Sequence, residues 1–400
     1  MPKPRPSQAS FDDVLDALLD RETPFPPTYL HRFSDLPTAE LNEFKKVFPR
    51  VEVTRRRALL EDLEQLADAD TMVLVENIGR AALEDEDAQV RTLAIRLLWD
   101  VENKKLVPVF MRMLRQDPDV QVRATAATAL GIFVHLGEME DIPAHLLTTV
   151  EESLLEVANG EDDALVRRRV IESLGFSGRP EVPDLIKAAY KQKETDWIES
   201  ALFAMGRSAD KAWQNEVIDM FDHAKTSVQS EAIQAAGELQ LEAARELLLN
   251  ILEDNEDEDE RAAAIWSLAQ IGGENVRPTL ESLLENADDD DEASFIEEAL
   301  EILDFTEEMS DFDLLEIGVD DKDQYIIEPD PRQTLVRPSS DPRQGSEASG
   351  FGSLRVRKPQ GVEAPDPRQG VEAPEIRDNK DDAAEPGKES AKNPKRHKRK

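Results

Sequence analysis

The residues that could carry chemistry are few and badly placed for it. His31, His135, His145, His223 and His397 stand far apart. None forms a His-x-x-x-His pair and none adjoins a glutamate, so no metal ligand set converges. There is no cysteine, which removes disulfides, thiolate sites and sulfur nucleophiles. No phosphate-cradling Gly-rich loop or Gly-x-Ser-x-Gly motif occurs. The segment Ile271-Gly272-Gly273 reads as a helix end. These absences predict a protein with no enzymatic activity, no metal and no cofactor.

Charge is the stronger signal. The 400 residues hold 86 Asp+Glu against 48 Lys+Arg, a net of −38. Residues 306–400 contribute 21 acids and 17 bases, so residues 1–305 hold 65 and 31, a net of −34. Such a surface repels phosphate backbones and argues against nucleic-acid binding by that part of the chain. Glu253 to Glu260 has seven acids in eight positions, and Glu285 to Glu292 has six in eight. Neither has the central glycine and terminal glutamate of a calcium loop. Both read as solvated turns one repeat apart, and as a candidate site for a basic partner through Glu256, Asp257, Glu258, Asp289 and Asp290. The last ten residues reverse the sign, with Lys392, Lys395, Arg396, Lys398, Arg399 and Lys400. They offer weak, salt-sensitive contact with nucleic acid, the ribosome or an anionic membrane, or with the acidic body itself.

The elements that hold these residues repeat. Val-Arg followed by small and apolar residues occurs at 90–99, 122–131 and 166–175, closing on Leu-Leu-Trp, Ala-Leu-Gly and Ser-Leu-Gly. Weaker copies end at 206, 237, 269 and 301, giving steps of 32, 44, 31, 31, 32 and 32. The long step predicts an insertion around His135 to Pro143. A degenerate earlier copy runs from Thr54 to Leu63. Val122, Ala126, Ala129 and Leu130 fall on one helical face. Gly131, Gly175, Gly206 and Gly237 are expected at helix C-termini. An amphipathic stretch precedes each copy, at 104–116, 180–191, 210–223, 241–252 and 275–286. Each unit is thus a helix pair that buries its apolar faces only by stacking on neighbours. Arg91, Arg123 and Arg167 then read as a ladder to turn aspartates between repeats.

The spacing, the Asp119-x-x-Val-Arg and Asp163-x-x-Val-Arg starts, the Ala-Leu-Gly endings and Trp266-Ser-Leu-Ala-Gln-Ile-Gly-Gly resemble HEAT repeats. They are most similar to the short bacterial, phycobilisome-lyase HEAT-like type, over roughly residues 50–305. The resemblance implies an all-α fold, a right-handed α-solenoid of about 8 repeats of ~31 residues with a disordered C-terminal tail. It leaves the role open, since such solenoids host many. A bilin lyase-like factor is one remote alternative, resting on repeat type alone. Deoxyhypusine hydroxylases resemble this fold and bind di-iron through repeated His-Glu pairs, which this chain lacks. DNA-glycosylase relatives need a basic groove.

Residues 1–50 read as an N-terminal helical cap. Ser10 to Asp13 resembles a capping box ahead of Val14, Leu15, Leu18 and Leu19. Thr38 opens a second helix with Leu41, Phe44 and Phe48 inward. The solenoid then spans 51–305, followed by an acidic-apolar linker motif at 306–328. The tail, 329–400, carries Asp-Pro-Arg-Gln from Asp330, Asp341 and Asp366, and its composition predicts disorder. No run of about 18 apolar residues occurs, and the N-terminus lacks a signal-peptide apolar region, which predicts a cytoplasmic protein.

One column remains to be placed. Arg96, Thr128, Glu172, Gln234 and Glu298 are polar, whereas the equivalent positions of two other copies hold Phe203 and Trp266. Trp99 lies three residues after Arg96. If helical, this stripe opposes the packed one, and its rings with Arg96 are candidate partner anchors. The reading is a protein-binding scaffold or adaptor with an acidic surface and a motif-bearing tail. The alternative is a tether acting through the basic tip.

Overall fold

The computed structural model describes residues 10–254, 257–287 and 289–317. Glu256, the Asp-Pro-Arg-Gln motifs, the basic tip and the 318–400 part of the linker and tail lie outside the described residues. The described elements are helices, with no strand among them. The first two are α1 (Phe11–Leu19) and α2 (Thr38–Val47), joined through a 3-10 segment at Pro27–Phe33. The Ser10 capping box is present: Ser10 Oγ accepts from the Asp13 N–H and the Asp13 carboxylate accepts from the Ser10 N–H. Phe33, Phe44 and Phe48 stack edge and tilted into the core of this cap.

After the cap come α3 (Val53–Ala69), α4 (Glu76–Ala82), α5 (Ala88–Arg96), α6 (Val107–Gln116) and α7 (Val120–Glu138). They continue as α8 (Ala144–Ala158), α9 (Ala164–Leu174), α10 (Val182–Tyr190), α11 (Thr195–Arg207) and α12 (Gln214–Ile218). The last are α13 (Thr226–Glu238), α14 (Arg245–Asp254), α15 (Glu258–Ile271), α16 (Val276–Glu285) and α17 (Asp290–Ile317). Each even-numbered helix from α4 onward pairs with the odd one after it. The odd helices stack in series, α3 on α5, then α7, α9, α11, α13, α15 and α17. This is an α-solenoid: the main contacts run within each helix pair and between adjacent pairs. Pro108 and Pro183 sit in the first turns of α6 and α10, where a missing N–H costs nothing.

Three expectations gain detail. The extra residues of the long repeat lengthen both helices, α7 to 19 residues and α8 to 15. Of the glycines, Gly175 caps α9 and Gly206 and Gly237 are the penultimate residues of α11 and α13, as expected but without left-handed backbone, whereas Gly131 is buried in mid-α7. Their role is close approach. A Cβ on Gly131 would lie 3.0 Å from Ser173 Oγ, and one on Gly175 would lie 2.8 Å from the Ala204 carbonyl oxygen. The third change is Trp99. In its column the later copies hold Gly131, Gly175, Gly206, Gly237 and Ala269, all buried between stacked helices. An indole cannot fit there, and α5 stops at Arg96.

Candidate functional site

The turn from first to second helix in each repeat builds one edge of the array. Aspartate recurs there as N-cap. Asp87 accepts from Val90 N–H, Asp119 from Gln121 and Val122, Asp163 from Leu165, Asp257 from Glu260, and Asp289 from Glu292. A carboxylate at this end also meets the positive end of the helix dipole. The acid-rich turns thus have a structural origin.

Arginines from the second helices bridge these turns. Arg57 pairs with Asp87 at 2.5 Å, Arg91 with Asp117 at 2.7 Å and Arg123 with Asp162 at 2.7 Å. The Arg57 guanidinium holds the Asp87 carboxyl below its ordinary range. The same column caps carbonyls at the end of the preceding helix or in the turn after it. Arg91 donates to Asp85 O, Arg123 to Asp117 O, Arg167 to Ala158 O, Gln229 to Phe221 O and Arg261 to Leu252 O. The ladder reading therefore holds for Arg91 and Arg123. Arg167 differs, lying 5.5 Å over the Trp197 ring while Arg168 bridges Asp196. The column then holds Ile198, Gln229, Arg261 and Ala293; Arg261 donates to the Leu252 carbonyl, and the other three cannot bridge a carboxylate as arginine does. Beyond that point Asp257, Glu258, Asp289 and Asp290 are exposed, at the N-termini of the stacked helices α15 and α17.

The predicted aromatic anchors do not form one exposed stripe. Trp99 is buried at 8% exposure, because α5 ends three residues earlier and the helical register no longer reaches it. Arg96 is tied down, with Nε on Glu64 Oε1 at 3.0 Å and a second contact to Oε2 at 2.8 Å. Phe203 and Trp266 are half-buried. Phe203 carries the Arg207 guanidinium 3.9 Å from its ring centre.

A cluster that was not legible as such surrounds Arg207. Its guanidinium also lies 4.6 Å from the Phe176 ring, and His135 packs on that ring at 4.8 Å. Phe176 and Arg207 occupy one column of adjacent repeats, immediately after Gly175 and Gly206, which was the available signal. Burial lowers the Arg207 pKa to about 10 despite Glu238, Glu172 and Glu231. Burial likewise pushes His135 down, with Arg207 adding to it. Among the described residues no three His, Asp or Glu side chains form a group able to hold a metal ion. No described helix is long and apolar enough to cross a membrane.

Residues 76–148 and 215–301 match the family model for HEAT repeats. Solved structures similar to the chain include the Escherichia coli protein YibA, at 16% identity, covering 71% of this chain and 98% of that one, with a TM-score of 0.39. The CpcE–CpcF complex of phycocyanin lyase from Nostoc sp. aligns at 20% identity over 72% of this chain and 97% of that one, TM-score 0.34. Human deoxyhypusine hydroxylase aligns at 16% identity over 65% and 95%, TM-score 0.30. No curated protein matches the sequence.

Proposed function

We propose that this chain, whose segments 76–148 and 215–301 are HEAT repeats, is a non-enzymatic scaffold that binds a protein partner with basic character. HEAT solenoids commonly mediate protein interactions, and a rigid stack offers a long surface of fixed geometry. The observation that carries the reading is the change along the turn edge. Asp87, Asp117 and Asp162 are bridged by arginine, whereas Glu258, Asp289 and Asp290 near the C-terminal end of the array are exposed. Exposed carboxylates on two stacked repeats attract a basic surface and speed its encounter. Half-buried Trp266 lies in α15, one of the two helices that carry these acids.

The test is capture from native lysate at moderate salt with three full-length chains. One is wild type. The second carries Glu258→Gln, Asp259→Asn, Asp290→Asn and Asp291→Asn. The third replaces the six bases of the C-terminal tip with Ser. Loss of a defined protein partner in the second chain alone, with melting unchanged, supports the scaffold. Loss only in the third chain, abolished by salt, replaces it with a tether acting through the tip.

A further inference from the structure

The long α7 brings His135 against Phe176 at the end of α9, and Phe176 in turn carries Arg207 of α11. Three successive repeats meet in this one stack. Around it lie Glu102 ahead of α6, Asp141 in the α7–α8 turn, Arg169 and Glu172 on α9, and Glu231 and Glu238 on α13. Glu138 on α7 accepts from Gly178 N–H at 2.8 Å, a second tie between α7 and the segment that follows α9. Arg207 stays charged across physiological pH, and it also donates to Glu172 O at 3.3 Å.

We propose that the His135–Phe176–Arg207 stack is a pH-sensitive joint between the repeats of α7, α9 and α11, closed when the imidazole is neutral and loosened when it is charged. Arg207 already lies against the Phe176 ring as its cation. A charged imidazole would put a second cation against the ring that already carries Arg207, in a half-buried setting where repulsion is weakly screened. Asp141 and Glu102 pull the other way, and burial with Arg207 outweighs them. The folded chain therefore takes this proton later than the unfolded chain as pH falls. The joint is fully stable above the ordinary value of 6.5 and loses stability as pH drops below it toward the lowered folded value. Each unit of depression corresponds to about tenfold in the opening equilibrium.

Hydrogen exchange on the full chain at pH 7.5 and pH 5.5, corrected for intrinsic rates, reads the joint directly. Amides of 132–138 and 174–179 should lose several-fold protection at the lower pH in wild type, and none in His135→Phe, which keeps a ring on Phe176. Equal losses in both chains overturn the proposal. A second readout needs no variant to fold. The His135 imidazole in the wild-type chain should titrate below 6.5 by NMR, and a midpoint at or above that value overturns the proposal as well.

Discussion

Ser267 Oγ donates to the Ile233 carbonyl at 2.8 Å across stacked helices, and Gly237 is what lets the two backbones come that close. A Cβ on Gly237 would sit 2.7 Å from Ser267 Cα and from its Oγ. The contact involves backbone, so it cannot be relieved by a rotamer change. Gly237→Ala should destabilise the chain by about 1–3 kcal/mol, the range for overpacking a close interface. Gly131→Ala should cost less, since its nearest contacts to Ser173 are 3.0 and 3.2 Å. Denaturant titrations of the two variants check the order. Equal effects would mean the glycines serve the helix ends after all.

Arg91 and Asp117 make a two-point bridge, Nε to Oδ2 at 2.8 Å and Nη2 to Oδ1 at 2.7 Å, with side chains only 12% and 8% exposed. Removing the arginine leaves a largely buried carboxylate and uncaps the Asp85 carbonyl. Arg91→Ala should cost about 2–4 kcal/mol, and Arg91→Lys should recover little of it because the planar fork is lost. The rungs also set acid sensitivity. Arg57 lowers the Asp87 pKa below the ordinary 3.8. The stability from that rung is complete above 3.8 and disappears as pH falls through the lower folded value. Arg57→Ala should therefore flatten the acid limb of a stability–pH curve below about pH 4.

Trp99 and Trp266 separate core from surface. Trp99→Ala should cost about 3–5 kcal/mol, as for a buried aromatic. Trp266→Ser and Phe203→Ser remove half-buried rings and should cost less. If either ring contacts the partner, its substitution weakens capture with melting little changed. Paired melting and capture measurements make the distinction for each ring. A loss of melting temperature matching that of Trp99→Ala would place the ring in the core.

The repeat was legible because stacking forces one pattern onto every unit: Val122 and Val166, Ala129 and Ser173, Leu130 and Leu174 are all buried in equivalent places. The ladder was legible for the same reason. Trp99 was not, because its placement depends on where α5 stops, and that follows from an indole standing where the next five repeats have glycine or alanine. The His135 stack was not, because reading it required knowing that the extra residues lengthen α7 instead of forming a loop. Period reveals what repeats share and hides what one repeat does alone.

The last described second helix departs from the earlier ones. Four residues before the column of Trp99 and Gly131 stand Ile95, Ala127, Ile171, Leu202, Ile233 and Ile265, all buried between stacked second helices. In α17 the two columns hold Glu297 and Glu301, both exposed. Arg277 fastens α17 to α16 through Asp304 and Glu307. Two carboxylates on the outer face make stacking of a further repeat, or of a second copy, costly in desolvation and repulsion. Restoring the interior residues should remove that barrier. The double variant Glu297→Ile, Glu301→Ala should keep its melting temperature and self-associate, with a sedimentation coefficient that rises with concentration where wild type shows no such rise from this face. If the variant sediments as wild type does, the two glutamates are not what keeps this face from pairing.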